Sequence, residues 1–499
     1  MRRLLIVDGY TDEPAGLGVP PYVGTYPRIL AGAARELGLD VFYITVDDLR
    51  AEIGGVEGGS YEREIRIMNR SKNAGKVKKL IEKSEIIAVI AGIHTPGRYL
   101  SAYPGSVGEI MGYLGEAGKV RILGGPAAFG SQLFGGKTAR KLLEGFDYVS
   151  GDPERALWYH FRQENRRDTE WYVKGAFIVE QMPRKRKIAE IELGRGCLWG
   201  RCSFCTEGLR YGWENRSAGE VVEEVRELMR YGIRAFRLGR ISDFFSYKFR
   251  KKPNVEAIKK LLRGIARLKP EVLHIDNADP HIIAGYRESE EIVKLIVKYC
   301  TPANVAALGM ETADERVAKL NKLNTRPEEV MRAIEIINRW GEKRRNGLPA
   351  FLPGINFVLG LKGETRKTLR KNLEFLKDVL ERGLLIRRVN IREVAIFEGT
   401  EMWKVGRKYI RKNRRWYYWF RRKVRREIDR PMLEKVFPRG TRFRILYEVS
   451  KGNVHFGRWL GSYPIVVGFR GRKPEFEQEV EVEVVGHGER SVEGRVVEP

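Results

Sequence analysis

The chain has 499 residues and a formal net charge of +27, from 92 Lys and Arg against 65 Asp and Glu. Its 42 % hydrophobic and 10 % aromatic residues are enough to bury several cores, which excludes a disordered chain, while the cationic excess predicts a polyanionic partner such as nucleic acid. The competing reading is the ion-pair-laced surface of a heat-adapted protein, which the scarcity of Gln (Gln132, Gln163, Gln181, Gln478) also suits. The two readings are compatible, because pairing cannot absorb the unmatched cations. Three of the four cysteines crowd into nine residues, so a disulfide scaffold is excluded and a reducing compartment is expected. With no signal-peptide pattern after Met1 and no membrane-length apolar window, the sequence predicts a soluble, cytoplasmic protein.

In chain order, strands are expected at Leu4 to Val7, Val41 to Val46, Ile86 to Ile93, Val120 to Gly124 and Asp147 to Ser150. Amphipathic helices fall between them at Tyr26 to Leu37, Ala74 to Lys83 and Val107 to Leu114. This alternation over residues 1–181 predicts a flavodoxin-like, doubly wound α/β domain that takes ligands over the carboxyl ends of its strands, where His94, Gly124 and Gly125 lie. No Gly-x-Gly-x-x-Gly follows the first strand, so a dinucleotide is not indicated. After the basic linker Met182 to Lys187, six more strands are expected at Ile188 to Leu193, Ala235 to Gly239, Val272 to Asp276, Val305 to Met310, Ile355 to Leu361 and Val389 to Ile396. Helices intervene at Ala218 to Tyr231, Val255 to Leu268, Glu288 to Lys298, Pro327 to Trp340 and Arg366 to Leu380. Residues 188–400 thus read as a partial (β/α)6 barrel with its chemistry at the strand carboxyl ends. His274, inside an apolar strand, reads as a satisfied core histidine, and His160 and His487 as surface residues.

Residues 401–439 form a basic, aromatic helical segment. Within 401–430, thirteen Lys or Arg face three acids and alternate with aromatics. A stripe of Trp416, Phe420, Val424 and Ile428 is expected to pack inward, leaving Arg411, Lys412, Arg414, Arg415, Arg421 and Arg422 as candidate RNA contacts. Residues 440–499 read as a small β barrel with strands at Phe443 to Val449, Pro464 to Phe469, Glu477 to Val485 and Ser491 to Val497. Arg458, on an expected loop of this barrel, is a further RNA candidate.

The most informative stretch is Gly194-Arg195-Gly196-Cys197-Leu198-Trp199-Gly200-Arg201-Cys202-Ser203-Phe204-Cys205, at the end of the first barrel strand. Three thiolates on one glycine-bearing loop can hold three irons of a 4Fe-4S cluster and leave the fourth open to a ligand. Zinc is the rival, although no further Cys or His pair nearby completes a four-ligand site.

This loop on this partial barrel resembles the radical S-adenosylmethionine (SAM) superfamily. The likeness extends over residues 188–400 through Gly309-Met310-Glu311 with Lys319-Leu320-Asn321, Gly360-Leu361-Lys362-Gly363-Glu364-Thr365 and Phe397-Glu398-Gly399-Thr400. The superfamily has Cys-x-x-x-Cys-x-x-Cys with an aromatic before the last cysteine, here Phe204; this chain has one residue more between Cys197 and Cys202. The resemblance, nearest to an archaeal branch, implies metal ligation by Cys197, Cys202 and Cys205 and chelation of SAM by the open iron. Reductive cleavage to a 5'-deoxyadenosyl radical would follow, with an external low-potential electron donor. It further implies cofactor contacts from Phe204, Gly239, Arg240, Asp243, Asn277, Met310, Glu311, Asn356 and Arg392, with Glu311 on ribose or amino group and Arg392 on the carboxylate.

The first domain is similar to cobalamin-binding domains, although the Asp-x-His-x-x-Gly cobalt-ligand motif is absent; a corrin would bind base-off without that histidine, or the site has been lost. The C-terminal barrel resembles the TRAM-type RNA-binding domain of tRNA methylthiotransferases, but residues 1–196 contain no cysteine for an auxiliary sulfur-donating cluster. Methyl transfer or a related carbon-centred reaction on a base of tRNA or rRNA is therefore expected. Two alternatives stay open: a cobalamin-dependent methylase of a small molecule or peptide, and a non-catalytic RNA-binding protein with a structural metal.

Overall fold

The computed structural model describes residues 2–11, 22–55, 67, 69–92, 103–115, 119–130, 137–139 and 144–497. The chain divides into two compact units. One comprises Met1–Gly135, Ala139–Glu190 and Glu220–Arg234; the other comprises Gly136–Thr138, Ile191–Gly219 and Ala235–Pro499.

The first unit holds β1 (Arg3–Asp8), α1 (Thr25–Glu36), β2 (Asp40–Thr45), α2 (Val46–Glu52), α3 (Val77–Lys83), β3 (Ile86–Ile90), α4 (Val107–Leu114), β4 (Val120–Gly124), β5 (Tyr148–Val149) and α5 (Pro153–Arg162). The strands pair in the order β2-β1-β3-β4-β5, all parallel, as the alternation predicts. Leu4 to Val7 and Ile86 to Ile90 are buried throughout, because helices cover both faces of a parallel sheet. Thr45 and Asp48 close a capping box that starts α2 directly after β2. At the carboxyl edge, Gly125 adopts φ +77, and a Cβ there would meet the Ala91 carbonyl at 2.9 Å, so the turn itself requires glycine. His94 lies outside the described residues. Arg28 and Glu224 form a fully buried ion pair in this unit.

The barrel strands are β6 (Ile188–Glu192), β7 (Ala235–Gly239), β8 (Val272–Ile275), β9 (Asn304–Glu311), β10 (Phe351–Leu359) and β11 (Arg388–Glu393). Their helices are α6 (Ala218–Arg230), α7 (Val255–Ala266), α8 (Glu288–Tyr299), α9 (Pro327–Gly341) and α10 (Arg366–Glu381). The apolar stripe of each helix turns inward, as Ile258, Leu261, Leu262 and Ile265 do on α7, and caps such as Asn254 and Thr365 set the starts. The six strands are split between two sheets. β8, β7 and β6 are neighbours in one, while the short strand Asn277–Ala278, β9, β10 and β11 form the other. The break falls at Asp276, whose carbonyl accepts the Ala307 N–H at 2.9 Å.

The interior of this partial barrel is polar. Arg237 Nη2 lies 2.5 Å from Asp276 with both side chains fully buried, and the Tyr463 hydroxyl donates to the other Asp276 oxygen at 2.9 Å. His274 is a satisfied core histidine, as expected: Nδ1 is 2.9 Å from Ser462 Oγ and Nε2 is 3.0 Å from the Pro302 carbonyl. Burial pushes its pKa down to about 4, so it stays neutral. His160 and His487 are half-buried rather than at the surface, against Tyr148 and the Phe437 carbonyl respectively.

The basic segment is helical: α11 (Lys408–Val424), a π turn at Arg425–Asp429, and α12 (Arg430–Val436). Its buried stripe is Ile410, Asn413, Tyr417, Phe420 and Val424, continued by Ile428. Trp416 is one position off that stripe and half-exposed, with the Arg366 guanidinium 4.0 Å from its ring centroid. The C-terminal strands β12 (Arg442–Lys451), β13 (Val454–Arg458), β14 (Val466–Phe469), β15 (Glu479–His487) and β16 (Ser491–Val496) close a barrel in the order β12-β13-β14-β16-β15. The extra strand is β13, which follows β12 through a tight turn at Gly452, φ +56. Arg458 therefore sits on a strand, buried, with both Glu448 oxygens at 2.8 Å, and is not a surface contact.

Candidate active site

The cysteine loop is closed at its neck by the antiparallel pair Gly194–Arg195 and Glu214–Asn215. Gly196 takes φ +78, and a Cβ there would come within 2.5 Å of the Gly212 carbonyl. The neck thus requires glycine where the two strands of the loop touch. Gly200 turns left-handed, φ +61, which accommodates the additional residue between Cys197 and Cys202. Farther along, Ser203 is held from two sides. Its N–H donates to the Asn321 carbonyl at 2.9 Å, its hydroxyl to Asn321 Oδ1 at 2.8 Å, and its own carbonyl accepts from Met402 N at 2.9 Å. The sequence reading did not assign Asn321 this role.

The three thiols are half-buried and feel one another's charge. Burial pushes Cys205 up to about 11, and burial followed by repulsion from Cys205, Glu311 and Cys197 raises Cys202 further. Burial of this kind disfavours the thiolates of Cys202 and Cys205, and a cation among them would offset it. Among the described residues no three Cys, His, Asp or Glu side chains converge on a single ion; a cubane instead takes one thiolate per iron.

Carboxyls surround the thiols. Glu311 ends β9 after a bulge whose additional residue is the buried Met310. Its backbone is left-handed, φ +61, and its Oε2 is buried without a hydrogen-bond partner. Burial pushes its carboxyl up to about 7, opposed by the Arg392 charge. Asp243, after β7, is buried; its Oδ1 accepts from Phe245 N and Asp279 N, and its Oδ2 is unpartnered. Burial and then the Asp279 charge push it up to about 8. Asp279, which the sequence reading passed over, caps the short helix Pro280–Gly285 and accepts from Asn324 at 2.7 Å. The Asp-Pro pair at a helix start was its sequence signal.

The structure thus brings Cys197, Cys202, Cys205, Asp243, Asp279, Glu311 and Arg392 into one electrostatic neighbourhood. Phe204 is half-buried on the loop, Gly239 ends β7, and Asn277 is half-buried on its short strand beside β9. Two candidates turn elsewhere. Arg240, also left-handed at φ +58, lies 3.8 Å from Glu192. Asn356 accepts from Asn390 at 2.8 Å. Left-handed backbone at Glu311 and Arg240, both at strand ends, is strain of the kind found at functional sites.

A thiol triad on one loop and orphaned buried carboxyl oxygens fit the cationic core of an iron-sulfur cluster and a sulfonium ligand. The radical SAM superfamily profile matches residues 191–376, and the chain belongs to that superfamily. Its 4Fe-4S cluster and SAM come with the superfamily. Along its whole length the chain groups with archaeal proteins. It is 44 % identical to an uncharacterized protein of Methanocaldococcus jannaschii over 99 % of this chain and 93 % of the relative. A protein of Archaeoglobus fulgidus is likewise 44 % identical, over 98 % and 89 %. Among solved structures, the fold is similar to TsrM from Kitasatospora setae, a radical SAM methyltransferase with cobalamin and a 4Fe-4S cluster bound, at TM-score 0.50 and 16 % identity over 81 % of this chain and 77 % of that one. It is also similar to the cobalamin-dependent enzyme OxsB, at TM-score 0.50 and 12 % identity over 84 % and 56 %. No helix among the described residues is long and apolar enough to cross a membrane.

Proposed function

We propose that the chain is a cytoplasmic radical SAM transferase that adds a methyl or related carbon group to a base of structured RNA, tRNA or rRNA. When bound, the cluster and SAM supply radical chemistry at an unactivated carbon. Cys197, Cys202 and Cys205 would hold the cluster. Glu311 and Asp243, whose Oε2 and Oδ2 are buried without partners, would hold the amino group or ribose hydroxyls of SAM, and Arg392 would pair with its carboxylate. The polar residues at the strand ends would orient the ligand, and the fully buried Arg237–Asp276 pair joins β7 to the residue after β8, its neighbour in the same partial barrel.

The observation that carries the RNA assignment is the outer face of α11. Arg411, Lys412, Arg414, Arg415 and Arg422 are exposed there, beside Tyr418 at 61 % exposure, while Arg421 is tied to Glu393 at 2.8 Å. Cations interleaved with rings suit phosphate neutralisation and base stacking. The TRAM-like reading of the C-terminal barrel belongs to this proposal. Replacing Arg411, Lys412, Arg414, Arg415 and Arg422 by Ala should weaken binding of total tRNA and flatten its salt dependence, whereas an unchanged slope refutes the assignment. Nucleoside mass spectrometry of RNA from a deletion strain identifies the product.

A second reading keeps the chemistry and changes the substrate to a small molecule or peptide, with a corrin on the first unit. The TsrM and OxsB folds favour it, as does the glycine-bearing carboxyl edge at Gly92, Gly124 and Gly125. Corrin absorbance on reconstituted protein, with no change in RNA nucleosides, would select it.

A further inference from the structure

Seven large hydrophobic side chains are exposed among the described residues, and four of them border the cysteine loop: Leu198 (44 %), Leu209 (60 %), Leu320 (38 %) and Trp403 (39 %). They belong to one surface. Trp199 Nε1 donates to the Lys322 carbonyl at 2.7 Å, joining the loop to the Leu320 segment. Met402 N donates to Ser203 O, bringing in Trp403, and Leu209 packs near Gly399. Around these apolar groups stand exposed cations: Arg201, Lys319, Lys322, Lys362 and Lys404. Among the described residues, Lys322 is paired with Glu401, no ion pair joins the other four cations, and Glu398 is a second exposed acid here, so the cations outnumber these acids. Apolar centre and charged rim are the anatomy of a protein-docking surface, and contiguous exposed apolar groups mark interaction sites.

We propose that this wall is where a small acidic, low-potential electron-transfer protein docks to reduce the cluster. The inference rests on the radical SAM assignment and adds the place and chemistry of the partner. The occupant follows from two features of the surface. Its charge is positive, so an acidic protein is complementary and is steered to it. It is also made of the cysteine loop itself: Leu198 is bonded to Cys197, and Arg201 to Cys202. A donor seated here would lie against the loop that carries the three thiols, and electron transfer falls off steeply with distance. The step is balanced: the reduced donor loses one electron, the oxidised 4Fe-4S cluster gains it, and no proton or bond moves.

The test uses anaerobically reconstituted full-length protein, a pre-reduced acidic bacterial-type ferredoxin as the docking donor, and titanium(III) citrate as a reductant that needs no docking surface. For the unaltered protein, the ferredoxin rate should fall with added salt. The double variant Lys319→Glu, Lys322→Glu should slow that rate by on the order of tenfold or more while leaving the titanium rate and iron content unchanged. Leu320→Ser with Trp403→Ser, which alters no charge, should slow it without removing the salt dependence. A ferredoxin rate indifferent to both variants, or flat in salt, overturns the proposal. So does a charge-reversal variant that loses tRNA binding while its ferredoxin rate holds, since the surface then belongs to RNA. Protein in which titanium reduces no cluster fails at the radical SAM assignment itself and takes this inference with it.

Discussion

The parallel sheet of the first unit and the parallel strands of the partial barrel obey the same rules of strand and helix alternation yet carry opposite interiors. In the first unit, Leu4 to Val7 of β1, Ile86 to Ile90 of β3 and Ile122 and Leu123 of β4 are apolar and buried, and the carboxyl edge carries glycines such as Gly124 and Gly125. In the second, the strands carry Arg237, His274, Asp276, Asn356 and Asn390 inward or close to one another and end in Asp243 and Glu311. The first pattern yields a stable platform whose ligands come to its edge. The second sacrifices apolar packing to hold chemistry inside, as barrels with strand-end active sites do.

The sharpest way to break this contrast is Cys202→Ala, which should abolish both cluster content and SAM cleavage. Iron and sulfide analysis with 5'-deoxyadenosine release checks it, and retention of either would move the chemistry away from the strand ends of the second unit. Next in size is Arg237→Met. It strands the buried Asp276 charge with Tyr463 as its remaining partner, and removing one member of a buried pair costs about 3–5 kcal/mol. Adding Asp276→Leu should restore much of the lost Tm, since an apolar pair of similar volume avoids the stranded charge. Failure to recover would show that the polar interior specifies the fold itself.

A pH-shaped effect sharpens the comparison further. Glu364, in the loop after β10, accepts from Tyr417 at 2.7 Å and Gly360 N at 3.1 Å, yet burial pushes it from 4.5 up to about 7. Its folded-state pKa is raised, so its contribution is complete below pH 4.5 and is lost as pH rises through about 7. Glu364→Gln should flatten the fall in Tm across that window; an unchanged slope would mean other groups set it. The smallest effect is expected from Arg366→Ala, which removes a half-exposed stacking contact on Trp416. Less than about 1 kcal/mol should be lost, measurable by urea unfolding.

Both sets of parallel strands were legible in the sequence because their signals are local: buried runs such as Ile86 to Ile90 and helix starts such as Pro327 and Thr365. That three cysteines share one loop at the end of the first barrel strand was legible from their spacing. Pairings between distant segments were not. Asp279 against Asp243, Asn321 against Ser203 and Tyr463 against Asp276 join residues far apart in the chain, and periodicity carries no information about them. Arg458 was misread because a five-residue strand resembles a loop when its charge is hidden by Glu448. The buried stripe of α11 was displaced from Trp416 to Tyr417 because Tyr417 has Glu364 to bond, whereas Trp416 has a guanidinium to lie under.

The π turn at Arg425–Asp429 sets the phase of everything downstream. It precedes Pro431, which has no N–H to give the preceding turn. A π turn spends one residue more than an α turn over the same arc, so this wide turn takes up an extra residue while Met432, Leu433 and Val436 of α12 stay buried after Val424 and Ile428. A single-codon loss here could be absorbed by closing the turn to an ordinary α turn, whereas the same loss within α11 would rotate everything after it by about 100°.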